Sequence, residues 1–443
     1  MTSATACHTA DTTGEPRRVC LVFSILALCL LALMLGGCGG NGATTSGSTA
    51  GAGGGTSTAP GASGGGTPTS PTGNPASELA LYPFGASGAG DGANPYGSLI
   101  QASDGNFYGM TTLGGNTGNG TVIKVTPAGV ETVIHSFSGG ITDGSQPYGS
   151  LVKANDGNFY GMTYQGGANN KGTVFQVTPA GAVTVIYSFG TNGPADGANP
   201  HGSFIQASDG KLYGTTVYGG ANSNGTVFGI TLAGVEQVVY SFDVLGSNDG
   251  ANPYGNLVQA TDGNFYAMTF SGGANGTGAV VQVTPAGAEQ VIHSFGGPIS
   301  GDGANPYGGL IQASDGNLYG MTNKGGANHA GAVIQVTLAG LEKVIHSFSG
   351  GTADGAQPYG SLIQASDGNL YGTTYLGGAN GNGAAFQVTL AGAEKLIYSF
   401  GANGPADGAN PYGDLVQASD WNLYGMTVHG GGANSNGTVF KLY

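Results

Sequence analysis

The strongest constraint on this chain is a phrase, DGANPYG in its fullest form, that recurs seven times. Its prolines are Pro95, Pro147, Pro200, Pro253, Pro306, Pro358 and Pro411, spaced 52 or 53 residues apart. Each unit continues through SLIQASDG, NFYGMT, a GGAN-containing loop, GTVFQVT, PAG and a segment such as VTVIYSF. The apolar segments are short, rich in Val, Ile, Tyr and Phe, and separated by Gly-, Asn- and Pro-bearing turns, which are strand and hairpin signals. No window carries a helical period. Four strands in about 50 residues is one blade of a β-propeller.

The two ends of the repeat region sharpen this. Fourth-strand segments occur at 131–137, 183–189, 236–242, 289–295, 342–348 and 394–400, whereas the seventh unit stops at its third strand, residues 437–443. The missing strand has a counterpart at the front, Glu78 to Phe84, reading ELALYPF. An N-terminal strand that completes the last blade removes a free sheet edge. The expected fold is all-β: a seven-bladed propeller of four-stranded blades over 78–443, the last blade closed by the N-terminal strand, behaving as a monomer.

Residues 1–37 read as a lipoprotein signal peptide. Arg17 and Arg18 precede an apolar run from Val19 to Leu35, and Leu35-Gly36-Gly37-Cys38 resembles a bacterial lipobox. Cys38 is the expected lipidation site, its thiol being the nucleophile such processing requires. The other reading of the run is an uncleaved anchor helix, since 17 apolar residues just span a bilayer. Residues 38–77 then form the lipidated end and a tether of Gly, Ser, Thr, Ala, Pro and Asn with no charge between Gly39 and Ser77. Gly39 in the place of Asp fits outer-membrane sorting, so the expected location is the bacterial cell envelope, with the membrane as a partner through the lipid.

Composition removes other classes. With 10 basic against 24 acidic residues the net charge is −14, which argues against nucleic acid as a partner. Gly accounts for 90 residues but not at every third position, so the chain is not collagen-like. The four cysteines are Cys7, Cys20, Cys29 and Cys38, all in or beside the targeting segment, which leaves none for a disulfide framework in the repeats; with no cysteine there and the histidines scattered, no zinc site is expected either.

In a propeller the first strand lines the channel and the fourth is outermost. The DGANPYG and GGAN loops then share one face, with SDGN and PAG on the other. The first face presents Asp91, Asp143, Asp196, Asp249, Asp302, Asp354 and Asp407, and beside them Tyr96, Tyr148, His201, Tyr254, Tyr307, Tyr359 and Tyr412. Aromatic faces flanked by carboxylates and amides suit sugars, peptides or cations, and the expected ligand is a glycan, a peptide or a protein. The plainer alternative is that Asp and Asn cap their own turns while Tyr packs between blades. Calcium is a weak candidate, because the DG pairs lack the dense acidic spacing of a dedicated loop, and no other cofactor is expected. His135, His293 and His346 stand where Tyr187, Tyr240 and Tyr398 stand in sister units, an interchange that reads as packing. Unshared residues such as Lys153, Lys211, Lys324, His329, Asp414, Trp421 and His429 are scattered over several blades and compose no nucleophile–base set.

The DG-x-N-P-Y-G, SDGN-x-YG-x-T and PAG phrases over 78–443 resemble the GloVer tandem repeats of exported bacterial proteins, whose members carry varying surface anchors. The resemblance implies an exported, anchored repeat protein and no particular reaction. Together these signs describe a lipid-anchored, non-catalytic binding or scaffold module. The alternative is an extracellular polysaccharide-active hydrolase or lyase working at the same face.

Overall fold

A computed structural model describes residues 77–88, 90–242, 248–296 and 301–443. The signal, Cys38 and nearly all of the tether lie outside them. Among the described residues no helix is long and apolar enough to cross a membrane, and the one helical segment is a 3₁₀ turn at Gly404–Ala406.

The repeats form seven antiparallel blades. In the first, Ile100–Gln101, Phe107–Thr111, Thr121–Val125 and Glu131–Ser136 pair in that order from the centre outward. A two-residue ribbon joins Gly92–Ala93 to Leu113–Gly114, so the DGANPYG and GGAN loops do share a face. Blade 2 ends on the outer strand Val183–Ser188, blade 3 on Glu236–Ser241, blade 4 on Glu289–Ser294, blade 5 on Glu342–Ser347 and blade 6 on Glu394–Ser399. Blade 7 takes its outer strand from the front of the chain. Glu78–Pro83 pairs with Thr438–Leu442, Glu78 opposite Leu442 and Pro83 opposite Thr438. The split blade read from the sequence is what closes the ring.

Each blade buries both faces against its neighbours, so the core is a circle of seven apolar clusters rather than one centre. The blade 7–blade 1 junction packs Tyr82, Phe84, Leu99, Phe107, Ile123, Tyr424, Met426 and Val439. Burying side chains of this size contributes about 1.5–3 kcal/mol each. Blades are also stitched by polar contacts, as where Gln101 Oε1 accepts the Ser419 amide at 2.8 Å. Lys153, in place of that glutamine, donates to Ser103 Oγ at 3.0 Å instead.

The hairpin face shows why SDGN-x-Y is repeated. Gly105 holds φ at +80°, as the tight turn requires. Asp104 accepts from the Asn106 amide and side chain and from the Tyr108 hydroxyl at 2.9 Å. Desolvation pushes its carboxyl up, but these donors outweigh it and hold the group below its ordinary range. Trp421, which replaces the turn glycine in blade 7, is forced into the same region at φ +68° and lies 55% exposed.

Candidate functional site

The site grows out of the glycine in each DGANPYG phrase. A Cβ on Gly97 would lie 2.2 Å from the Gly149 carbonyl oxygen, and one on Gly149 equally close to that of Gly202. Seven such glycines bring the seven chain segments together at the axis. The inner ladder of each blade is correspondingly short, two residues in blade 1, because the rest of the segment turns into this convergence.

One position on, side chains link neighbouring blades. The Ser98 amide donates to Ser150 Oγ at 2.7 Å, Ser150 to Ser203 Oγ at 2.6 Å, and Ser203 to Asn256 Oδ1 at 2.5 Å. On the other side Gly309 donates to Ser361 Oγ, Ser361 to Asp414 Oδ1, and Asp414 to Ser98 Oγ. Asp414 therefore does the acceptor work of a serine. Protein atoms surround it although some of its surface reaches the axial opening, and this desolvation raises its carboxyl above the ordinary range. Gly309 has no side chain to offer Asn256, and a Cβ there would lie 2.8 Å from the Asn256 carbonyl oxygen.

One position back, the aromatic residues close a second circle. Successive ring centroids are 5.3 Å for Tyr96–Tyr148, 4.7 Å for Tyr148–His201 and 5.2 Å for His201–Tyr254. They are 5.0 Å for Tyr254–Tyr307, 4.9 Å for Tyr307–Tyr359, 4.5 Å for Tyr359–Tyr412 and 4.8 Å for Tyr412–Tyr96. All seven are half-buried. They surround an axial depression of about 40 Å³, room for little more than water. Desolvation raises the hydroxyls of Tyr96, Tyr148, Tyr254 and Tyr412, and burial takes the His201 imidazole down to about 4. These five members of the collar are therefore uncharged at neutral pH.

The sequence reading did not pick out the tier around this collar. Tyr164 meets Tyr148 at 5.4 Å, Phe270 meets Tyr307 at 4.8 Å and Tyr375 meets Tyr359 at 5.3 Å. Tyr218, 42% exposed, stands beside Tyr254. Tyr164, Phe270 and Tyr375 sit just after the second strand, where sister blades carry Thr112, Val217, Asn323 and Val428, and Tyr218 lies one residue further on, so they passed for loop variation.

The seven aspartates are placed differently from the aromatics. Asp91, Asp196, Asp249, Asp354 and Asp407 are buried, while Asp143 and Asp302 are half-buried. Asp91 Oδ2 accepts from the Tyr82 hydroxyl and the Gly85 amide, both at 2.7 Å, and Oδ1 from the Gly92 amide at 2.7 Å. Sister aspartates repeat this turn-closing pattern at Gly144, Gly250, Gly303, Gly355 and Gly408. They belong to the blade junctions at the rim rather than to the collar.

The fold has solved counterparts. The extracellular domain of a protein described as a hybrid two-component system from B. thetaiotaomicron aligns with a TM-score of 0.53 at 15% identity, over 79% of this chain and 39% of that one. This chain thus spans well under two thirds of that structure. A protein described as a 6-phosphogluconolactonase from Bacteroides uniformis aligns with a TM-score of 0.45 at 16% identity, over 69% and 84%. A lectin from Burkholderia pseudomallei aligns with 0.44 at 14%, over 78% and 98%. At 15% identity the first of these likenesses is one of fold alone. No curated protein sequence matches significantly. The repeat itself is decisive: the Gloeobacter/Verrucomicrobia repeat model matches residues 40–280 and 253–443, and the chain belongs to that family.

Proposed function

We propose that this protein is an exported, non-catalytic binding module, held at the cell envelope by a lipid on Cys38, that takes neutral glycans on its loop face. The observation that carries the proposal is the aromatic collar, widened by Tyr164, Tyr218, Phe270 and Tyr375. Half-buried aromatic rings, most with a hydroxyl at the edge, and the exposed Tyr218 match a sugar, which offers apolar C–H faces and polar rims. The narrow axis favours a ligand lying across the collar over one threaded through it. The alternative of a polysaccharide-active enzyme at this face draws less support, because the nearby aspartates accept hydrogen bonds from their own turns.

A glycan array probed with the purified chain tests the binding. Selective glycan capture, lost on Tyr254→Ala, is expected. Capture of peptides alone would reject the glycan-binding role, and turnover of an array sugar would reject its non-catalytic character. For the anchor, Cys38→Ser is expected to abolish lipid labelling and release the protein from the membrane fraction. Unchanged labelling would refute lipidation at that residue.

A further inference from the structure

Six of the seven blade junctions at the rim bring together three side chains. One comes from an outer strand, the second is the aspartate of the following loop, and the third is a glutamate opening the next outer strand. Between blades 2 and 3, the Tyr187 hydroxyl lies 2.6 Å from Asp196 Oδ2 and 3.2 Å from Glu236 Oε2. Tyr82, Tyr240 and Tyr398 likewise donate to Asp91, Asp249 and Asp407 at 2.7–2.8 Å. In these junctions a hydroxyl proton is shared with the carboxylates.

Two junctions replace the hydroxyl with an imidazole nitrogen and keep both carboxylates. His293, Asp302 and Glu342 meet between blades 4 and 5, and His346, Asp354 and Glu394 between blades 5 and 6. In each trio the candidate ligand atoms lie within 4.8 Å of one another. His293 Nε2 is 3.5 Å from Asp302 Oδ1, and His346 Nε2 is 3.4 Å from Asp354 Oδ1. These distances are long for a charge-assisted hydrogen bond. They equal the separation of two ligands held tetrahedrally at about 2.1 Å from one ion, roughly 3.4 Å. His293 Nε2 is sealed from solvent without a hydrogen-bond partner, and so are Glu342 Oε1 and Glu394 Oε1, as the matching oxygens of Glu78, Glu131, Glu236 and Glu289 are at the tyrosine junctions. An imidazole nitrogen and two carboxylate oxygens gathered this closely form a donor set that a cation between them would satisfy.

The third histidine supplies an internal control. His135 faces Asp143 at 3.2 Å, but Val183 occupies the glutamate position. Asp143 there also accepts from the Ser138 amide and hydroxyl and from the Gly144 amide.

We propose that the His293–Asp302–Glu342 and His346–Asp354–Glu394 trios are two divalent transition-metal sites, each clipping one blade to the next. One nitrogen with two oxygens is a donor set for an ion of the Zn²⁺ class rather than for Ca²⁺, which takes oxygens. Three protein ligands leave a position for water.

The test uses the full chain without an affinity tag, stripped with chelator and titrated with Zn²⁺ by calorimetry. Two Zn²⁺ per chain are expected, with a rise in melting temperature of several degrees. His293→Tyr and His346→Tyr install the residue that sister junctions already carry, so the fold is retained. Each is expected to leave one ion, and the pair none, while His135→Tyr leaves two. Glu342→Gln and Glu394→Gln repeat the test without touching the histidines. No Zn²⁺ binding, Ca²⁺ binding in its place, or two ions retained by the double histidine variant would overturn the proposal.

Discussion

The hairpin face and the junctions on the loop side use the same groups, a carboxylate beside a tyrosine hydroxyl, to opposite effect. On the hairpin face each aspartate meets several donors and no second acid: Asp156 takes the Asn158 amide and side chain and the Tyr160 hydroxyl at 2.7 Å. Though desolvation opposes it, its carboxyl stays below the ordinary range. At the blade 7–blade 1 junction, Tyr82 serves Asp91 while Glu131 Oε1 is buried without a partner. Burial first, and the charge of Asp91 second, push Glu131 up to about 7. Repetition on the hairpin side thus fills a need in every blade, whereas repetition at the rim leaves one unmet.

Glycine divides along the same line, and it sets the largest predicted contrast. Gly149→Ala would place a Cβ 2.2 Å from a backbone oxygen with no side chain able to move aside. It is expected to cost about 3 kcal/mol, near the upper end for overpacking. Gly157→Ala on the hairpin face meets open space and suffers only from its φ of +84°, a cost of about 1 kcal/mol. Denaturant titration of both variants checks this, and equal losses would erase the distinction.

The next contrast is in pH. The folded chain holds a proton on Glu131 up to about 7, whereas the group's ordinary value is 4.5. Between those values the folded state binds more protons than the unfolded one, so stability falls as pH rises through that window. Glu131→Gln is therefore expected to flatten the decline in melting temperature between pH 5 and 7.5. The hairpin aspartates have the opposite sign: their contribution is present at neutral pH and lost on acidification below their ordinary range. An unchanged slope in Glu131→Gln would show that this carboxyl does not titrate as described.

The smallest effect is at Trp421, whose positive φ of +68° is unsuited to a bulky residue. Trp421→Gly is expected to gain about 1 kcal/mol, and a loss on thermal melting would indicate that the indole is held by more than the turn.

What could be read from the chain follows the same division. The blades, the borrowed strand at Glu78–Pro83 and the sharing of a face by two loops were legible, because each rests on spacing and turn chemistry. The seven collar aromatics were legible as a set for the same reason. Their closure into a circle was not, since it depends on seven glycines letting backbones touch. The outer tier at Tyr164, Tyr218, Phe270 and Tyr375 was hidden by variation at two adjacent loop positions. The glutamates of the rim were missed because they act on aspartates distant in sequence, Glu131 on Asp91, 40 residues before it, and Glu78 on Asp407, 329 residues after it. The step from SDGN to its tyrosine had a signal, a four-residue Asp–Tyr spacing repeated in every unit.

The central claim is that the loop face, not the hairpin face, receives the ligand. Its most direct test is the affinity for an array-selected glycan of paired tyrosine variants, Tyr218→Ala on the loop face and Tyr108→Phe on the hairpin face. Tyr218→Ala is predicted to weaken binding about tenfold, the worth of one aromatic contact, with Tyr108→Phe unchanged. Equal affinities for Tyr218→Ala and the parent chain, or a loss confined to Tyr108→Phe, would contradict it.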